Sequence, residues 1–194
     1  MAQEEVIKNS QGSQLDPETE MAAIVSESRD IAANNTVKNH IIASITLGLV
    51  PVPLFDLAAL TAVQMNMLRS LSGHYGVPFD DSDTKSLVTA LVGGSLPVLG
   101  VLGLSSFAKL IPGVGSLLGS ASLSISAGAV TYAVGQVFIM HFEAGGTFED
   151  FEPKQARAFF EREFAAGKAF VQTIREELKA AKSNKPDETE PPSP

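Results

Sequence analysis

Three histidines, His40, His74 and His141, are the side chains in this sequence best suited to metal binding or to proton transfer near neutral pH. None of them has a second imidazole or a carboxylate three or four residues away, the spacing that brings two ligands to one face of a helix. Glu143 is two residues from His141 and would point in another direction. Cysteine is absent, so thiolate ligands and cysteine nucleophiles are absent too. The spacing therefore predicts no metal site.

Nucleotide binding is the second chemistry that spacing can test. A P-loop needs Gly-x-x-x-x-Gly-Lys-Ser/Thr after a strand, so that backbone N–H groups and a lysine neutralise the phosphates. The nearest segment, 115–120, has no lysine. The segment 184–187 reads Asn-Lys-Pro-Asp and matches a guanine-reading motif by letter, but neither a strand nor a P-loop accompanies it. No Gly-x-Ser-x-Gly elbow occurs either. The sequence predicts a protein without catalytic residues and without a cofactor.

Asp56 is the acid embedded in an apolar stretch, and it follows Pro51 and Pro53. A carboxylate at membrane depth is a functional residue by default, because burying it unpaired is costly. The two prolines offer another interpretation, since they end one helix and leave Asp56 to cap the next. The cap is the favoured interpretation, and a charge-dependent role for Asp56 is the alternative.

The charge balance limits the partners. The chain has 14 Lys and Arg against 22 Asp and Glu, for a net charge of −8 and a pI near 4.8. Nucleic-acid binding requires a clustered basic surface, and no such cluster occurs. The first residues lack the basic and apolar regions of a secretory signal. The charges lie mainly toward the two ends of the chain, and the middle is rich in Gly, Ala and Ser.

The first half of the chain predicts three helices. Asp16 and Pro17 begin the first, which runs to about Ala33 and ends at Asn34-Asn35. Thr36 caps the second, which continues to Leu49. The third starts at Asp56, carries an apolar stripe as far as Leu71 and closes at residues 73–78.

Two long uncharged runs then predict a helical hairpin in a membrane. Residues 86–108 and residues 110–142 contain no Asp, Glu, Lys or Arg, and each is longer than the roughly 20 residues that cross a bilayer. Lys109, Pro112, Gly113 and Gly115 supply a basic residue and a turn between them. The alternative is that both runs are central helices of a soluble bundle, since helices that are apolar all round are simply buried there.

The chain beyond residue 152 predicts an amphipathic helix over 153–182. Its apolar stripe is a candidate partner face and consists of Phe160, Phe164, Val171, Ile174 and Leu178. Docking of this stripe on the protein's own domain is the favoured interpretation, because most helical stability comes from tertiary packing.

These elements predict an all-α fold made of two membrane-associated hairpins and a C-terminal amphipathic helix. The predicted domains are a disordered polar N-terminus (1–15), a helical membrane-associated domain (16–152), the amphipathic helix (153–182) and a disordered acidic tail (183–194).

Several of these segments resemble the YcjF/GTPase-associated family, a bacterial domain of unknown function. The resemblance covers about residues 37–151. The matching text is Pro51-Val52-Pro53-Leu54-Phe55-Asp56-Leu57-Ala58-Ala59-Leu60 with Gln64, Met67, Leu71, Tyr75 and Gly76, then Pro112-Gly113-Val114-Gly115, Thr131-Tyr132-Ala133-Val134-Gly135 and His141-Phe142-Glu143-Ala144-Gly145-Gly146-Thr147-Phe148. In that family the domain is membrane-associated and is often fused to, or encoded near, a GTPase.

The resemblance implies a non-enzymatic membrane module that anchors or recruits a partner, with a GTPase acting in trans, because this sequence has no GTPase domain. The expected location is the bacterial inner membrane, with both termini in the cytoplasm. Two alternatives remain: a pore-forming protein whose path is lined by Asp56 or Gln136, and a soluble helical adaptor that forms a homo-oligomer.

Overall fold

The computed structural model describes residues 16–47, 55–95 and 115–183, without the side chains of residues 55–58, 115–123 and 182–183. Within these ranges the chain forms helices and no strand, which confirms the all-α class. The helices are α1 (Pro17–Leu47), α2 (Phe55–Tyr75), α3 (Asp81–Gly94), α4 (Gly115–Glu143) and α5 (Pro153–Ser183). Pro51, Pro53, Pro112, Gly113 and the predicted disordered N-terminus 1–15 lie outside the described residues. Of the predicted disordered tail 183–194, Ser183 still belongs to α5 and residues 184–194 lie outside the described residues.

α1 is one continuous helix, so the predicted break at Asn34-Asn35 is wrong. The polar side chains that suggested a break bond to the helix itself: Asn34 Nδ2 donates to Asp30 O at 2.9 Å, and Thr36 Oγ1 donates to Ala32 O at 3.0 Å. Ala33 and Val37 on either side are buried in the core. Tertiary packing therefore overrides the weak helix propensity of two asparagines.

α2 begins at Phe55, which places Asp56 in its first turn and not at the cap position. An acid in the first turn still complements the positive end of the helix dipole. The helix ends as predicted within 73–78, where Gly76 adopts φ +67° and Val77 N donates to Ser72 O at 2.9 Å. That pairing closes the last turn and needs a residue without a β-carbon at Gly76.

α3 corrects the first of the two predicted spans. Asp80 caps the helix by accepting from Ser82 N and Asp83 N, and the helix ends at Gly94, so residues 86–108 are not one helix. Ser95 terminates it by donating its N–H to Val92 O and its hydroxyl to Leu91 O. Paired glycines at 93 and 94 weaken the helix at this point. α3 packs mainly against α5, and the Arg157 guanidinium lies against Gly94.

α4 is the central helix of the bundle. Its segment Ser124–Glu143 is, among the described residues, the one stretch long and apolar enough to cross a membrane, and 72 % of it is buried inside the protein. Glycines let the neighbouring helices approach: a β-carbon on Gly135 would lie 2.6 Å from Val37 Cγ2, and one on Gly128 would lie 2.9 Å from Val171 Cγ2. The predicted span is thus a helix whose apolar surface is covered by protein.

The bundle has two chemically different ends. α1 and α4 are antiparallel, since Asn34 pairs with Gln136 while Ser44 pairs with Thr131. We call the end where α4 finishes at Glu143 the polar end. The apolar end lies opposite, where α1 finishes at Leu47 and where α2 and α4 begin. α5 starts at the polar end and runs back along α4, so that Val171 reaches Gly128.

Candidate functional site

A cluster of ionisable side chains joins three helices at the polar end. The Tyr75 hydroxyl on α2 donates to Glu143 Oε1 on α4 at 3.1 Å. The Arg29 guanidinium on α1 lies 5.0 Å above the centre of the Tyr75 ring, within the range of a cation–π interaction. Asp30, the next residue on α1, places its carboxyl group beside that of Glu143. We call these four residues the polar latch.

The environment of the polar latch shifts two pKa values. Burial raises the pKa of the Tyr75 hydroxyl, and the neighbouring Glu143 carboxylate raises it further. The pKa of Glu143 is also raised, first by burial and then by hydrogen bonding and charge repulsion from Asp30. Asp30 Oδ1 and Arg29 Nε are shielded from solvent, and neither atom has a hydrogen-bond partner among the described residues. The polar latch therefore contains two shielded polar atoms without a described partner beside two carboxyl groups that repel each other.

The connector after α4 folds back onto His141. His141 Nε2 lies 2.8 Å from Thr147 O and 3.6 Å from Asp150 Oδ1. Asp150 Oδ1 accepts from the Thr147 backbone N–H and hydroxyl at 2.6 and 2.7 Å, and these bonds lower the pKa of Asp150. Gly146 packs so closely on the imidazole that a β-carbon would collide with the ring. His141 is thus a structural residue that shapes the connector.

Aromatic rings fix the connector from the inside. Phe138 stacks on Phe151 with ring centres 4.5 Å apart, and Phe142 meets Phe148 edge to face at 5.2 Å. Phe79, from the turn before α3, meets the other side of Phe148 at 5.6 Å. Aromatic pairs at these separations contribute about 0.5–1.5 kcal/mol beyond their burial. The polar latch therefore rests on a rigid aromatic support.

The chemistry available at this end is electrostatic. A tyrosine, two carboxyl groups and a guanidinium can share protons and charge between helices. No group of three or more His, Cys, Asp or Glu side chains within the described residues could hold a metal ion. The arrangement therefore suits a role in holding α1, α2 and α4 together, with a strength that depends on pH.

The candidate partner face on α5 is largely used by the protein itself. Phe160, Phe164, Val171 and Ile174 are buried in the core, whereas Leu178 is 40 % exposed. The close approach of α5 to α4 occurs at Gly167, where a β-carbon would lie 3.2 Å from the Ala129 backbone. A partner could reach the four buried residues only after α5 leaves the bundle. Gln136 likewise bonds to Asn34 at a helix contact.

Sequence reasoning missed half of the polar latch. Arg29 and Asp30 lie on a stretch that reads as a solvated helix, and no local spacing connects them to residues 46 and 113 positions away. The sequence singled out Tyr75 only through the family resemblance, and it considered Glu143 only there and as a possible neighbour of His141. The structure brings several residues of that resemblance together at the polar end: Tyr75, Gly76, His141, Phe142, Glu143 and Phe148. These residues lie together in the fold although they are far apart in the sequence, so the sequence alone does not reveal the cluster.

Comparisons with known proteins identify the family of the chain. Magnetosome membrane protein 22 of Magnetospirillum gryphiswaldense is 40 % identical to the chain over 154 residues, which make up 79 % of each protein. No solved structure matches the chain. The family model described as "Domain of unknown function (DUF697)" matches residues 14–168, a range that includes the polar latch, the aromatic support and the central helix α4. On this evidence the chain belongs to the DUF697 family.

Proposed function

We propose that this chain is a non-enzymatic, membrane-associated bacterial protein, which attaches by the apolar end of its bundle and presents the polar end to the cytoplasm. In this role it recruits a cytoplasmic partner to the inner membrane. The magnetosome membrane relative supports the membrane part of the proposal.

The contrast between the two ends is the observation that carries the proposal. α1 finishes at Leu47 and α2 begins at Phe55, and the sequence between them, 48–54, has no charge. α4 starts at the same end with nine uncharged residues, 115–123, and the sequence that precedes it, 96–114, has Lys109 as its one charge. The opposite end holds the polar latch and the acidic connector. An amphiphile of this kind orients with its apolar end in lipid.

The burial of α4 determines which segments are left to contact the membrane. The helix that is apolar enough to span a bilayer is already covered by α1 and α5, so lipid is not needed to shield it. We therefore assign membrane contact to the segments 48–54 and 96–123 and leave α4 from Ser124 onward to the bundle core.

A soluble helical adaptor is the second candidate. The same burial of α4 favours it, because the core helix of a soluble protein has this composition and this degree of cover. The two candidates differ in what covers the apolar segments: lipid in the first, other copies of the chain in the second.

A GTPase remains the proposed partner. The polar end offers a charged surface to a cytoplasmic protein, and the resemblance stated above connects the family with GTPases. The described residues contribute no phosphate-binding loop of their own, so any nucleotide chemistry would belong to the partner.

Fractionation of cells separates the two candidates. We expect the protein to stay in the membrane pellet through high salt and alkaline carbonate, because salt screens headgroup attraction but leaves apolar insertion intact. Leu102→Asp with Leu104→Asp should move it to the soluble fraction. Met140→Asp, at a 43 % exposed position on α4, is the matched control and should stay in the pellet. Wild-type protein that is soluble without detergent would favour the adaptor.

A further inference from the structure

The N-terminal part of α1 carries an apolar stripe on the side that faces away from the bundle. Met21, Ile24, Val25 and Ile31 are 65 %, 58 %, 55 % and 56 % exposed, the largest exposures among the large apolar side chains described. Ile24 precedes the buried Ala33 by nine residues, about two and a half helical turns, and so lies on the opposite side of the helix. We call these four residues the outer stripe.

The outer stripe lies on a helix segment that the bundle does not support. Every residue from Asp16 to Val25 is exposed, Ser26 is half-buried, and the next half-buried residues are Arg29 and Asp30, where the polar latch holds α1. A helix shorter than about 12–15 residues is marginal in water when nothing packs against it. An exposed stripe of four large apolar residues on such a segment indicates that another surface covers it in use.

The charges beside the outer stripe indicate which kind of partner can bind to it. Glu18, Glu20 and Glu27 are exposed next to it, and no Lys or Arg occurs between Asp16 and Ser28. The first basic residue, Arg29, is turned toward Tyr75 in the polar latch. An anionic lipid surface is repelled by this acidic rim. A second copy of the chain would place an acidic rim against its own equivalent, which is also unfavourable.

We propose that the outer stripe is a docking site for a basic amphipathic helix of a partner protein. Apolar anchors of that helix, spaced three and four residues apart, pack on Met21, Ile24 and Ile31, while its Lys and Arg side chains pair with Glu20 and Glu27. A shallow depression lined by Pro17, Met21, Ala22 and Val25 accepts one of the anchors. The inference rests on the proposed recruiting function and names the surface and the partner chemistry.

Designed helical peptides test the site with purified full-length protein in mild detergent. The probes are a Lys/Leu amphipathic peptide, a Glu/Leu peptide with the same apolar stripe, and a Lys/Leu peptide of scrambled order, each with one Trp. The protein has no tryptophan, so the peptide fluorescence reports binding directly. We expect the Lys/Leu peptide to bind at least tenfold more tightly than either of the others.

Two variants and a matched control identify the surface. Met21→Gln with Ile24→Gln should weaken binding of the Lys/Leu peptide at least tenfold, whereas Met140→Gln with Leu178→Gln, exposed apolar residues elsewhere, should leave it unchanged. Glu20→Lys with Glu27→Lys should transfer the preference to the Glu/Leu peptide. All these positions are exposed, and circular dichroism verifies that the variants stay folded.

Evidence that something other than a basic helix binds to the outer stripe would overturn the proposal. Sedimentation that detects a dimer abolished by Met21→Gln with Ile24→Gln would assign the stripe to a second copy. Binding of anionic vesicles that the same variant abolishes would assign it to lipid. Equal binding of the basic and acidic peptides would remove the charge argument. Because the assay is done in detergent, its failure is independent of the membrane fractionation, and either result can fail while the other holds.

Discussion

At the scale of single residues, the polar latch makes stability depend on protonation. The pKa of Glu143 is raised above its ordinary value of 4.5, so its contribution to folding is present below that value and is lost as the pH rises through the raised pKa. The pKa of Tyr75 is raised too, so its contribution to folding is also lost as the pH rises, in the alkaline range. For Asp80 and Asp150 the pH dependence is reversed. Hydrogen bonds lower the pKa of each, so the stability that they contribute is lost as the pH falls.

Glu143→Gln should therefore flatten the pH dependence. A neutral amide keeps an acceptor for Tyr75 and cannot be repelled by Asp30, so we expect the thermal midpoint of the variant to equal or exceed that of the wild type at pH 7 and to lose this advantage toward pH 4. Glu149→Gln, at an exposed connector position, is the control. A variant whose midpoint falls parallel to the wild type from pH 4 to pH 7 would contradict the raised pKa.

Gly146 and Gly73 form a matched pair of glycine tests. Gly146→Ala pushes a methyl group into the His141 ring, which is held by Thr147 O, and should cost about 1–3 kcal/mol, as overpacking does. Gly73→Ala meets no atom within 4 Å in α2 and should be neutral or stabilising by up to about 1 kcal/mol. Chemical denaturation measures both. Equal effects of the two substitutions would show that the connector does not pack on His141.

At the scale of elements, small residues decide which helices touch. α4 meets α1 at Gly135, both α1 and α5 at Gly128, and α5 again near Gly167, and each position leaves no room for a β-carbon. Close backbone approach at small residues is typical of helix pairs in membranes. The same close approach works in a bundle surrounded by water, because the contact itself involves only protein.

The contact of Gly135 with Val37 can be tested by a double-mutant cycle. Gly135→Ala alone should destabilise the fold by about 1–3 kcal/mol, since its methyl group would overlap Val37. Val37→Ala makes room, so the double variant should be more stable than the sum of the single effects predicts. Additive effects measured by urea unfolding would indicate that the two helices do not meet at these residues.

The apolar stripe of α5 contains both buried residues and an exposed one. Phe160 and Phe164 are at most 2 % exposed, so Phe164→Ala should cost about 3–5 kcal/mol. Leu178→Ala, at 40 % exposure, should cost well under 1 kcal/mol by comparison. If thermal unfolding gave Phe164→Ala a small effect, the stripe would be available to a partner, as the alternative interpretation of the sequence requires.

The sequence predicted the presence of the long helices more accurately than the residues at which they begin and end. The periodic stripe of α5 and the proline and glycine signals around α2 predicted those helices within a few residues. α1 was divided at Asn34-Asn35, because the bonds that keep it whole depend on its contact with α4. The absence of charge over 86–108 predicts one long span, whereas Asp80 and the paired glycines mark both ends of the shorter helix α3. Long-range pairs such as Tyr75–Glu143 have no local signature.

At the scale of the whole molecule, the described helices form a bundle whose polar end is fixed by charge and aromatic packing, and the proposed membrane contact lies in the uncharged sequence segments 48–54 and 96–123. The recruiting surface proposed on α1 emerges beside the polar end, away from the apolar end. This separation lets one end face lipid while the other meets a partner, which is the geometry that an anchoring protein needs.

Single-cysteine labelling tests this central claim most directly, because the native chain has no cysteine to interfere. Val52→Cys and Leu102→Cys label the two segments that we propose contact lipid, and Ala144→Cys and Glu149→Cys label the polar end. Each variant is reconstituted in vesicles and carries a spin label whose accessibility to lipid-soluble oxygen and to a water-soluble nickel complex is measured. We expect the first pair to favour oxygen and the second pair to favour nickel. Equal accessibility at the four sites, or labels in the two proposed lipid-contacting segments that favour nickel, would contradict membrane attachment through those segments.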